Sequence, residues 1–183
     1  MTWAKLLASN NVTRQPATKK ELDNLRSIVS RSLKDVTVPG LSADVRFIMA
    51  YDAVRTLSLM IVRSSGYRPK AAGGHYNTLL ALEIADGQFV RLSAYYDGCR
   101  MKLNASEYDF AGGVTDTDAD GLLKTVQQFA IDAEGWIRPS IRHWPETGAV
   151  GVGASSLSHT HGGGQIRPSR IVLVGACEGE LLI

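Results

Sequence analysis

The amino-acid sequence predicts an all-α fold, an antiparallel four- to five-helix bundle over residues 1–138 followed by a Gly-rich irregular C-terminal tail over 139–183. Three observations carry this expectation. Apolar residues recur at steps of three and four through successive segments, the period of a helix that turns one face to a core. The segments are separated by short Gly, Pro and Ser clusters, and three of them open on Thr18, Ser42 or Thr115, side chains that bind the free amides of a first helical turn. No run before residue 139 shows the period of two that marks a half-buried strand.

Taken in order, Trp3, Leu6 and Leu7 suit one docking turn, and Thr18-Lys19-Lys20-Glu21 has the capping-box pattern of a helix start. Leu22, Leu25, Ile28, Val29 and Leu33 follow at helical spacing until Val38-Pro39-Gly40. Ser42 caps the next segment, whose Val45, Phe47, Ile48, Tyr51, Val54, Leu57, Met60, Ile61 and Val62 cover more than one face, so this helix is expected at the centre, with Tyr51 and Met60 as core residues. A connection over Tyr67 to Gly74 leads to a shorter run, His75, Tyr76, Leu79, Leu80 and Ile84, which pauses at Asp86-Gly87. The following stripe is Phe89, Leu92, Tyr96, Cys99, Leu103 and Phe110, and Ala111-Gly112-Gly113 stops it. Thr115-Asp116-Thr117-Asp118 then supplies a cap and first-turn acids for a last helix through Leu122, Val126, Phe129, Ala133 and Ile137, with Pro139 marking its end.

A chain of 183 residues that is 44% hydrophobic is long enough for one domain with a buried core. Its net charge of +2 announces neither a basic nucleic-acid footprint nor an acidic tail, so any RNA contact has to be local. The widely separated Cys99 and Cys177, and a start without an apolar leader, lead us to expect reduced thiols and a cytoplasmic location. No apolar run reaches the roughly 18 residues a membrane helix needs, and no membrane partner is expected. From Ser140 the helical period vanishes among Gly, Ser, Thr and His; this reads as a flexible tail, and the abrupt change also admits a non-native origin.

Chemistry concentrates in one segment. Arg100, Asn104 and Tyr108 are four residues apart and so stand above one another on a helix, with Asp97 and Glu107 beside them. A guanidinium, an amide and a phenol in that row suit a phosphate or a partner across a dimer; the alternative is a solvated face in which Arg100 contacts Asp97 or Asn104. Arg100, Asn104 and Tyr108 are the catalytic candidates, and Lys102, Glu107 and Asp109 the binding ones. His75, the sole histidine before residue 139, is read as a capping or solvent-facing residue, and Arg63, Arg68 and Lys70 form a modest basic loop near it. His143, His159 and His161 lack the further ligands of a structural zinc site, and Gly162-Gly163-Gly164 lacks the Lys-Ser/Thr of a phosphate-binding loop. Neither a metal nor a cofactor is therefore expected.

The stretch from Tyr96 to Phe110, Tyr-Asp-Gly-Cys-Arg-Met-Lys-Leu-Asn-Ala-Ser-Glu-Tyr-Asp-Phe, resembles the late-helix signature of HEPN domains, and the likeness extends over residues 15–138. Many HEPN domains are RNases or toxin subunits partnered with small nucleotidyltransferases. The resemblance implies a helical bundle, a homodimer, an RNA or nucleotide ligand, and a nucleotidyltransferase-type partner protein in a toxin-antitoxin or defence setting. It places the signature's arginine on Leu103, its polar residue on Asn104, its histidine on Tyr108 and its last aromatic on Phe110. Leucine carries no charge and a tyrosine of ordinary pKa is a poor base, so the RNase motif is degenerate here. A non-catalytic helical dimerisation or interaction module that binds RNA, nucleotide or protein is the alternative, and a purely structural bundle remains open beside it.

Overall fold

The computed structural model describes residues 1–71, 73–108 and 113–141, with backbone alone for 105–108 and 139–141. Helices dominate, as expected: α1 (Trp3–Ala8), α2 (Lys19–Asp35), α3 (Ala43–Ser64), α4 (Gly74–Ala85), α5 (Val90–Tyr108) and α6 (Asp116–Ile141). A short 3-10 turn, Gly87–Phe89, leads into α5. The tail from residue 142 lies outside the described residues.

The caps sit where the side-chain chemistry puts them. Thr18 Oγ1 accepts from the Glu21 amide at 3.2 Å while the Glu21 carboxylate accepts from the Thr18 amide at 2.7 Å, a reciprocal box that satisfies two amides at the start of α2. Ser42 takes the Val45 amide at the start of α3. Thr115 and Asp118 repeat the reciprocal arrangement at α6.

Two expectations need correction. Residues 1–138 do contain strands: β1 (Val12–Arg14) and β2 (Tyr67–Pro69) pair antiparallel, with Arg14 opposite Tyr67 and Val12 opposite Pro69. Three residues are too few to display an alternating period, and the prolines nearby read as punctuation, which is why the pattern went unseen. The last helix also runs past Pro139 to Ile141.

α3 is the axis. Phe47, Ala50, Ala53, Val54, Met60 and Ile61 are wholly buried, and Tyr51 and Leu57 nearly so, over roughly half the turn of the helix, while Val45, Ile48 and Asp52 lie on an open stripe. Such a helix has to be covered on most sides, and α2, α4, α5, α6 and β2 all pack on it. Arg46 fixes the direction of α6: its guanidinium reaches Asp120 and Asp116 at 2.5 Å each, and Asp44 accepts from the Val114 amide, so α3 and α6 begin at the same end. α5 runs back along α6, since Lys102 near its end meets Asp118 and Asp86 before its start accepts from Trp136 Nε1 at 3.1 Å. The floor between α5 and α6 is aromatic, with Phe89 edge-on to Phe129 at 5.9 Å and Tyr96 tilted on Phe129 at 5.5 Å. A smaller cluster of Leu6, Val12, Val62 and Ala81 joins α1 and the strands to α3 and α4.

Arg63 ties these parts together. It is 4% exposed, donating to the Gln15 carbonyl at 2.6 Å and to Glu21 at 2.9 Å. Burial lowers its pKa and the Glu21 carboxylate works against that, so the buried cation is kept charged by a partner and a carbonyl.

Phe129→Ala is expected to cost about 3–5 kcal/mol by leaving a cavity under Phe89 and Tyr96. Ile131→Ala, at a position 68% exposed, should stay within about 0.5 kcal/mol. Denaturant titration of the two variants checks the contrast, and similar losses would mean that the core is not where the helices place it.

Candidate functional site

α3 is apolar on most of its sides, yet its middle carries Asp52 and Arg55, an i,i+3 pair whose Arg55 Nη2 lies 3.2 Å from Asp52 Oδ1. Tyr51 stands beside them, 5% exposed. The chain then leaves α3, passes through β2, and enters α4 after Gly73, whose φ of +67° is a conformation that favours glycine. Asn77, 6% exposed, packs so close to Gly73 that a β-carbon there would stand 3.3 Å from its Nδ2. This turn delivers the first residues of α4 to the middle of α3. His75 Nε2 comes within 2.6 Å of Arg55 Nη1, and its ring is 6.3 Å from that of Tyr51.

α5 closes the group. Arg100 Nε donates to Asp97 Oδ1 at 2.7 Å, and the guanidinium carbon lies 6.0 Å from the centre of the Tyr76 ring. Tyr51, Asp52 and Arg55 from α3, His75 and Tyr76 from α4, and Asp97 and Arg100 from α5 therefore form one polar cluster.

Its electrostatics follow from burial and from the two guanidiniums. Burial chiefly pushes the Tyr51 phenol up to about 12, with Arg100 opposing and Asp97 reinforcing the shift, so this hydroxyl keeps its proton and donates. Burial first, then Arg55 and Arg100, lower the pKa of His75, while Asp52 opposes them. A guanidinium can only donate, so in its contact with Arg55 the Nε2 of His75 is the acceptor and the neutral ring carries its proton on Nδ1. The arrangement offers donors: two planar guanidinium forks, a phenol and an imidazole N–H. It suits an anionic oxygen better than a proton transfer, because the basic nitrogen of His75 is already taken.

Of the residues the sequence singled out, Arg100 belongs to this cluster, and its contact with Asp97 is the local ion pair held open as the alternative. Asn104 is exposed one turn further along α5. Glu107 and Tyr108 lie on the last turn of α5, where the backbone alone is described, and Asp109 lies outside the described residues. Lys102 is drawn elsewhere: its Nζ is 2.6 Å from Asp118 Oδ2, whose carboxylate also takes the amide and hydroxyl of Thr115. Leu103, where the resemblance places an arginine, is 9% exposed and packs in the main core. His75 is exposed, as the sequence reading has it, but bonds to Arg55. His143, His159 and His161 fall outside the described residues. Among the described residues no group of three or more His, Cys, Asp or Glu stands close enough to hold a metal ion.

Sequence reasoning missed Asp52 and Arg55 and assigned Tyr51 to packing alone. The signal was there in part: two opposite charges at i,i+3 in the middle of a helix with so wide an apolar face need an outlet. That the outlet is His75 depends on the return path through β2, which no local pattern reveals. Comparison with protein-family models, with curated proteins and with solved structures finds no match to this chain.

His75 binds its proton less readily in the folded chain than in the unfolded one, so its contribution to stability is present above the unfolded value of about 6.5 and is lost as pH falls below it. The melting temperature should therefore drop further between about pH 7.5 and about pH 5.5 in the wild type than in His75→Gln, whose amide keeps an acceptor for Arg55 without titrating. Equal drops would show that His75 is not linked to folding.

Proposed function

We propose that this chain is a HEPN-like helical domain that acts as an RNA- or nucleotide-associated component of a toxin-antitoxin or defence system, with a degenerate RNase motif. The observation that carries the reading is the convergence of Arg100, Arg55, His75 and Tyr51 from three helices, which gathers donors for a phosphate with Tyr76 at their edge. The likeness of the Tyr96 to Phe110 segment to the HEPN signature, and the helical bundle around a long central helix, support the family side of it. Each arginine has an aspartate on its own helix, so the cluster is not a bare cation. The five N–H donors of a guanidinium nonetheless leave room for a second acceptor beside the first. A homodimer and a nucleotidyltransferase-type partner complete the reading as the resemblance implies them.

One observation favours the non-catalytic form of this proposal, a helical module that binds RNA or nucleotide. With Nε2 of His75 held by Arg55 and a leucine in the core at position 103, the cluster lacks a free base near neutral pH.

Incubation of the purified chain with tRNA, and equilibrium binding of tRNA and ATP, test both forms. Binding weakened about ten-fold or more by Arg100→Ala, with tRNA left intact, is the expected result. Cleavage by the wild type that disappears in Arg100→Ala would instead make the site catalytic. Absence of both binding and cleavage would overturn the proposal.

A further inference from the structure

The chain's small net charge conceals an uneven distribution. Residues 1–20 hold Lys5, Arg14, Lys19 and Lys20 and no acid, and residues 65–82 hold Arg68 and Lys70 and no acid. The two-stranded pairing of β1 with β2 brings these acid-free segments side by side.

Backbone hydrogen bonds extend the ribbon beyond its strands, from Lys70 N to Asn11 O at 2.9 Å and from Gln15 N to Gly66 O at 2.9 Å. Alternation then sorts the side chains. Val12, Arg14, Tyr67 and Pro69 share the face turned to the small cluster, where Val12 is 1% exposed. Asn11, Thr13, Gln15, Arg68 and Lys70 share the other face, which is polar, basic and without a carboxylate. At the end of the inner face Trp3 stacks on Tyr67 with centroids 4.0 Å apart and planes 4° from parallel, and Arg14 lies 5.9 Å from the centre of the same ring. Arg14, Tyr67 and Trp3 thus make a column of flat groups at the end of the inner face, across the ribbon from Arg68 and Lys70, and Tyr67 and Trp3 are both partly exposed.

We propose that this ribbon is a binding surface for single-stranded nucleic acid, with Arg14, Arg68 and Lys70 on the phosphates and the Trp3–Tyr67 column as the platform on which a base stacks. Cations without competing acids supply the attraction to a polyanion, and flat aromatic faces accept any base. An anionic membrane is a poorer fit. Apart from Met1, the described large apolar residues that stand exposed are Val38, Val45, Ile48, Tyr76, Val90, Met101 and Ile131, all outside β1 and β2, and the partly exposed Trp3 and Tyr67 are stacked on each other and packed against the small cluster. The proposal is independent of the α3–α4–α5 cluster, with which it shares only the polyanionic character of the ligand.

The test is fluorescence anisotropy of the full chain with labelled oligouridylate and oligothymidylate of about 20 nucleotides, long enough to fill one single-strand site, across a salt series. The triple variant Arg14→Ala, Arg68→Ala, Lys70→Ala should bind about ten-fold or more weakly, and its plot of log affinity against log salt should flatten by about 2, from ~0.7 for each of three phosphate contacts. Arg31→Ala, Lys34→Ala, Lys124→Ala removes the same charge from exposed positions elsewhere and should bind like the wild type. Circular dichroism checks that each variant keeps its helices. No oligonucleotide binding by the wild type, equal losses in the two triple variants, or binding confined to phosphatidylserine vesicles would overturn the proposal. Loss in Arg100→Ala with none in the ribbon variant would overturn it too, while leaving the reading of the cluster standing.

Discussion

The enclosure of α3 is the constraint from which the rest of the architecture follows. A helix with so wide an apolar face cannot lie on a surface; it needs neighbours on most of its sides, and four helices and a strand supply them. With those sides taken, charged groups on α3 must either leave at the ends or emerge on the open stripe that holds Ile48 and Asp52. Arg46 leaves at one end, toward Asp116 and Asp120, and Arg63 at the other, toward Glu21. Asp52 and Arg55 have neither end available and emerge at the gap beside the start of α4. The polar cluster is in this sense a by-product of the packing, a place where the central helix meets water.

The arginines show how closely charge is apportioned. Arg26 bridges Asp23 on its own helix and Glu134 on α6, and the carboxylate bonds hold its pKa up. Lys102 is committed to Asp118, whose pKa stays low because that lysine and the Thr115 donors outweigh its burial. Cations already spent on a carboxylate contribute little to a distant anion. Those on the ribbon, where the paired segments carry no acid, are the ones a polyanion would meet first.

Most of the helical framework was legible in the sequence because it rests on local rules. Thr18, Ser42 and Thr115 cap where their side chains predict, and the stripe Phe89, Leu92, Tyr96, Cys99, Leu103 is buried as its spacing requires. The strands were not legible, since each borrows its hydrogen bonds from a segment more than fifty residues away and neither is long enough to alternate. The same long-range link hid the cluster. Arg100 and Asp97 could be paired by their spacing, and His75 could be noticed, but that α4 would return to the middle of α3 and set His75 against Arg55 is fixed by the β1–β2 pairing. Lys102 gave the opposite lesson: a binding candidate by its position on α5, it is claimed by the cap of the following helix.

Glu21 closes the capping box of α2 and at the same time neutralises Arg63, which also holds the carbonyl of Gln15 where β1 ends. One carboxylate thereby couples three events that are separate in the sequence: the winding of a helix, the burial of a charge and the docking of a ribbon. If the ribbon peels away, Arg63 loses a carbonyl acceptor, and if the first turn of α2 frays, it loses its counter-ion. Opening of either segment therefore weakens the hold on the other, and a ligand seated on the ribbon would tighten the start of α2 without touching it.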